Sequence, residues 1–194
     1  ATVRSNLATR VEYDSPAVDG VTLWDRTGYP VVSKGGVFRQ VILADGYAQI
    51  LKTTNQTAAT ADTAYALTWD DITFANGITL DPADSTKIVF AEGGKFIVGF
   101  TAQLQSSSAN AKNIWFWPRV SGTDSDGSTI KTTLKLNGEE IVVSSSAIFE
   151  IASGQYLQAM FAVSDVALTI AAPATTAFAP ASTAATLSIT RFMQ

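Results

Sequence analysis

Two adjacent acidic pairs, Asp70-Asp71 and Glu139-Glu140, are the groups of this sequence whose type best suits an acid and a base working together. Neighbours on a strand point to opposite faces, so neither pair aims two carboxyl groups at one bond. A second acidic feature is the loop "SGTDSDGS", with Asp124 and Asp126, which follows the aromatic run "NIWFWPRV". A calcium loop of the EF-hand type with Gly127 at its sixth position needs an oxygen ligand at the first and a Glu at the twelfth. Those places hold Gly122 and Thr133, so the motif fails at both ends. The aromatic run offers more. On a strand, Ile114, Phe116 and Val120 share one face and Trp115, Trp117 and Arg119 the other. Two indoles followed by a guanidinium make either a stacking platform for a sugar or partner, or a face covered by a loop or a neighbouring subunit. Trp115, Trp117, Arg119, Asp124 and Asp126 are therefore the candidate surface contacts.

Composition removes most other chemistry. The 194 residues include no Cys and no His. Disulfides, zinc or iron sites built on those ligands, Ser-His-Asp or Cys-His catalysis and a histidine pH switch all fall away. Only carboxylate, lysine or hydroxyl chemistry remains, and with both acid pairs split the chain is expected not to be an enzyme and to need no cofactor or metal. Charged residues make up 15% of the chain against 46% hydrophobic ones, where about 25% charged is usual. Such an uncharged surface is expected to be covered in part by other copies or by a partner. The net charge is -4 and no Lys/Arg cluster occurs, which argues against nucleic-acid binding. The longest apolar stretch, "YLQAMFAVSDVALTIAA", is broken by Gln158 and Asp165, so no membrane span is expected. The amino terminus lacks the apolar core of a signal peptide. An initial Ala is what removal of an initiator Met leaves, and the chain is expected to be complete.

The elements that must position these groups are strands. Period-two alternation dominates and no helical stripe is found, so the chain is expected to be all-β. In "KFIVGFTAQLQ", Phe96, Val98, Phe100, Ala102 and Leu104 fall on one face. In "IKTTLKLNGEEIVV", Asn137-Gly138 suits a two-residue turn, and the predicted hairpin sets Lys135 opposite Glu140 and Leu134 opposite Ile141. Further strands are expected in 64–69, 77–80, 87–91, 113–120, 146–152, 155–163, 167–171 and 185–193. Gly-, Asp- and Ser-rich punctuation between them fits a sandwich. The stretch "APATTAFAPASTA" (172–184) reads as an extended loop.

The first 52 residues differ, with short strand signals, a hairpin expected at Ala44-Asp45-Gly46, and six basic against five acidic residues. A segment this short rarely folds alone. It is expected to be an arm or small β subdomain that docks on something, through Arg4, Arg10, Trp24, Arg26 and Phe38. Residues 53–63 read as a linker and 64–194 as the main domain.

The run "KIVFAEGGKFIVGFTAQLQ", then "IWFWPRVSGTDSDGSTIKTTL", "SGQYLQAMFAVSD" and "ALTIAAPATTAFAPASTAATLSITRF" resembles the jelly roll of tumour necrosis factor and the complement globular head, in its versions from tailed-bacteriophage virion proteins. Gly94 and Phe96 match a strand-opening Gly-x-aromatic pattern. Trp117, Arg119, Gly122 and Thr123 match a Trp, Arg, Gly-Thr segment one residue short, while Gln155 and Ser121 stand where Asp and Asn are commoner. The resemblance covers about residues 64–194. It implies an antiparallel sandwich of about ten strands, assembled as a homotrimer about its inner sheet. "QYLQAMFAV" is apolar on both strand faces, so Tyr156, Met160 and Phe161, with Phe192, are the expected contacts between copies. The implied function is a phage virion structural protein, a trimer that decorates or cements the capsid surface, its arm on the major capsid protein or another virion protein. The alternative is the receptor-binding head of a tail fibre or spike.

Overall fold

The structure, a computed structural model, describes residues 46–192 throughout and, ahead of them, the backbone of five short strands. The chain divides into two units, Ala1–Asp45 and Gly46–Phe192. In the first unit β1 (Val3–Asn6) pairs with β2 (Arg10–Tyr13). Three more strands, β3 (Thr22–Trp24), β4 (Pro30–Lys34) and β5 (Val37–Gln40), form an antiparallel sheet in chain order.

The second unit is a β-sandwich. Its first sheet runs β10 (Ile78–Asp81), β11 (Asp84–Phe90), β17 (Tyr156–Val163) and β13 (Lys112–Val120). On the far side of β13 lie β14 (Thr123–Asp124) and β15 (Ile130–Leu134), and β8 (Tyr65–Ala66) flanks β17. The second sheet runs β16 (Glu140–Ile151), β12 (Gly94–Ser106), β19 (Ala185–Arg191), β6 (Tyr47–Lys52) and β9 (Asp71–Asn76), with β18 (Leu168–Ile170) beside β12 and β7 (Gln56–Thr57) beside β18. All pairings are antiparallel. From β11 onward the chain passes back and forth between the sheets, and these crossings are the path of a jelly roll. No helix occurs among the described residues.

Alternation builds the core as the sequence predicts. Phe96, Val98, Ala102 and Leu104 of β12 face inward and are buried, with Phe100 half-buried. They meet Ile114 and Phe116 of β13 and Leu157 and Phe161 of β17. Phe90 packs edge-on against Phe96 with centroids 4.7 Å apart. Each such side chain contributes about 1.5–3 kcal/mol on burial. Pro118 sits inside β13, yet its carbonyl accepts from Ser125 N–H, so its missing donor would face the stretch where the neighbour changes from β15 to β14. No ladder bond is lost there.

Two expectations need correction. The boundary falls at Asp45/Gly46, because residues 47–52 form β6, a strand held between β19 and β9. The hairpin expected at Ala44-Asp45-Gly46 falls on residues that lie in part outside the described ones, Ala44 and Asp45 among them. The Asn137-Gly138 hairpin does not form. β15 belongs to the first sheet and β16 to the second, so this turn carries the chain from one layer to the other. Glu140 faces Gln105, whose Nε2 donates to it at 3.0 Å, instead of Lys135.

Candidate functional site

The outward face of the first sheet carries the residues singled out from the aromatic run. Ser121, at φ 47°, and Gly122, at φ 86°, turn the chain back on itself after β13. The return places Asp124 opposite Arg119 in the ladder. Arg119 Nε donates to Asp124 Oδ1 at 2.6 Å and Nη2 to Oδ2 at 3.1 Å, and the Trp117 indole N–H donates to Oδ1 at 2.8 Å. The guanidinium, with the indole N–H, holds the Asp124 carboxyl below the usual carboxylate range, and the same pairing raises Arg119. One strand on, Lys131 lies over the Trp115 ring at 5.4 Å and Lys87 over Tyr156 at 5.1 Å.

Thus Trp117, Arg119 and Asp124 come together, Trp115 stays on the same face beside Lys131, and exposed Asp126 takes no part in the cluster. Nothing here makes a metal centre: no group of three or more ligating side chains occurs among the described residues. The arrangement is chemically a stacking and hydrogen-bonding surface whose cations are already placed over, or beside, its rings.

The acid pairs are engaged in structure. Asp70 Oδ1 accepts from Lys52 Nζ at 2.9 Å, and Oδ2 accepts from the backbone N–H groups and hydroxyls of Thr53 and Thr54. Burial alone would raise this carboxyl, but Lys52 and the two threonines hold it well below the ordinary range. Glu139 accepts from the backbone N–H groups of Lys135 and Leu136.

The expected contacts between copies are partly revised. Met160 and Phe161 are 3% and 1% exposed, taken up inside the chain itself, so they leave no area for another copy. The apolar character of β17 on both faces comes from its own surroundings: Met160 lies across from Trp117 on one side and Ala66 of β8 on the other. Tyr156 is half-buried under Lys87, and Phe192 is 40% exposed. Arg4, Arg10, Trp24 and Phe38 lie on β1, β2, β3 and β5, of whose side chains nothing is described, and Arg26 lies outside the described residues.

Sequence reasoning missed the outward face of the second sheet. Tyr47, Ile97 and Ile148 stand there 43%, 39% and 61% exposed, on one cross-strand row through Thr190. Beside that row the face is small and hydroxylated: Gly99 pairs with Ser146 and Ser188, and Thr101 with Ser144 and Thr186. The signal was present in the sequence only as the outward half of an alternation already assigned to a core strand. A further opening lies between β16 and β13, an apolar cleft of about 60 Å³ lined by Phe100, Phe116 and Phe149 together with Ser128 and Ser145.

These two sheets and their crossings define the class: an all-β jelly-roll sandwich of the kind the sequence resemblance implied. No family model matches the sequence, and no curated protein matches it. Among solved structures, a crystal structure of murine APRIL at pH 5.0 is similar, with 9% identity over 76% of this chain and 98% of that chain and a TM-score of 0.48.

Proposed function

We propose that this chain is a structural, self-assembling protein: its jelly-roll body forms a homotrimer, and its amino-terminal unit attaches the trimer to a larger shell, as a decoration or cement protein on the surface of a tailed-phage capsid. The observation that carries the reading is the outward face of the second sheet. It is uncharged at its centre and exposes Tyr47, Ile97 and Ile148 in one row, with Phe192 just past β19. Water gains little from such a surface, and burying it against sister chains removes apolar area at about 25 cal/mol per Å². The reading is non-enzymatic, because Asp70 and Glu139 are both committed to hydrogen bonds that hold turns and strands.

Light scattering of the purified chain at micromolar concentration tests the assembly, with three times the chain mass expected and a monodisperse monomer fatal to it. Placement is tested by copy number in the particle: hundreds of copies at lattice positions are expected, and a few copies at the tail would replace the reading. That second outcome belongs to a host-binding head. The observation favouring it is the Trp115–Trp117–Arg119–Asp124 face, and binding of purified protein to host cells would establish it.

A further inference from the structure

We infer that the apolar cleft between β16 and β13 is a binding site for the unbranched alkyl end of a small, neutral amphiphile, whose head group is taken by the hydroxyls of Ser145 and Ser128. The inference goes beyond the self-assembling reading and does not depend on it.

The cleft arises where both sheets thin out. On β16 the row Ile141, Val143, Ser145, Ala147 and Phe149 stands across from the inward residues of β12, with Ser145 opposite Phe100 and Ala147 opposite Val98. Ser145 and Ala147 are the two smallest members of that row. On β13, Trp117 and Pro118 fall between the pairings with β15, which end at Phe116, and those with β14, which begin at Arg119. All four of these residues line the cleft. Protein interiors are otherwise close-packed, with few voids larger than a water. Packing alone therefore gives no reason for two small residues in the middle of an inward row.

The lining says what fits. Val98, Phe116, Leu157 and Leu187 are buried, while Phe149, Ser145 and Ser128 are half-buried, so the cleft passes from an apolar interior to a side that water reaches. An apolar cavity of about 150 Å³ admits benzene, so one of about 60 Å³ excludes a ring and accepts about two or three carbons of a chain. No charged side chain lines it, and an ionised head group would lose water there without a counter-charge. The Ser145 hydroxyl has no hydrogen-bond partner among the described residues. The Ser128 hydroxyl donates to the Ser125 carbonyl at 2.6 Å and still accepts. A hydroxyl adds nothing to an inward apolar row, whereas beside an alcohol or amide head it gains a bond.

Titration of 1-pentanol into the full chain, followed by the methyl NMR signals of Val98, Leu157 and Leu187, is expected to give saturable shifts. Pentanoate, of the same length with a charged head, should bind about tenfold more weakly, and benzene should shift none of the three. Ser145→Ala keeps the space and removes the hydroxyl, and should weaken 1-pentanol about three- to tenfold. Ser145→Leu fills the space from within the chain and should abolish the shifts. Absence of saturation in the wild type, pentanoate binding as tightly as 1-pentanol, or undiminished affinity in either Ser145 variant overturns the inference. Tighter binding of N-acetyl-leucinamide than of 1-pentanol also overturns it, and makes the cleft a seat for a side chain of a partner protein.

Discussion

Asp70 shows how one residue's surroundings decide what its chemistry is for. It looked like half of a catalytic pair, and the strand argument that its neighbour Asp71 points elsewhere was enough to remove that role. What the sequence did not reveal was the partner, Lys52, eighteen residues back and buried in β6, because strand pairing across β6 and β9 is what brings the two together. Lys52 is 4% exposed, and the Asp70 carboxylate is the charge paired with it. Removing the carboxylate leaves buried Lys52 without its compensating charge, but Asp70 itself is open to solvent, which holds the cost below the ~3–5 kcal/mol of a fully buried pair. Asp70→Asn is therefore expected to lower unfolding free energy at pH 7 by about 1–2 kcal/mol in urea titrations followed by circular dichroism. The pH dependence has a fixed sign. A carboxyl whose folded pKa lies below its ordinary 3.8 stabilises the fold above that value and loses the contribution as pH falls toward the depressed one. The gap between wild type and Asp70→Asn should accordingly begin to narrow below about pH 4 and go on narrowing as the pH falls further. A gap that stays constant down to pH 2.5 would show that the carboxylate charge is not what Lys52 needs.

Elements were legible wherever alternation ran long, and illegible where a local signal had two meanings. The inward half of β12 could be read directly, since Phe96, Val98, Ala102 and Leu104 have one face to occupy and one core to fill. The Trp117 and Arg119 pair was equally readable, being two residues apart on one strand, and its lock on Asp124 was hinted at only by the length of the returning loop. Asn137-Gly138 misled. Such a dipeptide reports a tight turn with positive φ, and Gly138 does sit at φ 77°. It does not report which strands the two arms will join, and here they join different sheets. The small, hydroxylated face was missed for a related reason: its members come from β12, β16 and β19, and Ser or Thr on a strand carries no signal alone. Two substitutions separate the turn from the hairpin. Gly138→Ala should cost about 1–2 kcal/mol for an L-residue in the left-handed region. Lys135→Ala should stay within about 0.5 kcal/mol of wild type, because no cross-strand pair with Glu140 exists to lose. A Lys135→Ala loss as large as that of Gly138→Ala would restore the hairpin.

At the scale of the whole molecule, the sandwich is defined by pairings that join distant parts of the sequence, and β6 is the clearest case. By composition residues 47–52 belong with the irregular leader before them, which is why the boundary was expected at 52. In the fold they lie between β19, the last strand, and β9, with Ile50 fully buried and Ala48 nearly so. Removing them strips a strand from inside the second sheet. It also takes away Lys52, the partner of Asp70, and uncovers the inner side of β19 with Leu187 and Ile189. Residues 46–194 retain every strand of the sandwich and its whole buried core. A protein starting at Gly46 is therefore expected to give a cooperative thermal transition and a β-sheet circular dichroism spectrum and, on the proposed function, to keep the oligomeric mass of the full chain while failing to attach to particles. A protein starting at Thr53 should show no cooperative transition, since losing an interior strand exceeds the 5–15 kcal/mol by which such domains are stable. Matching melting curves for the two truncations would mean that β6 is an appendage after all, and attachment by the shorter of the viable forms would move the anchor from the amino-terminal unit into the jelly roll.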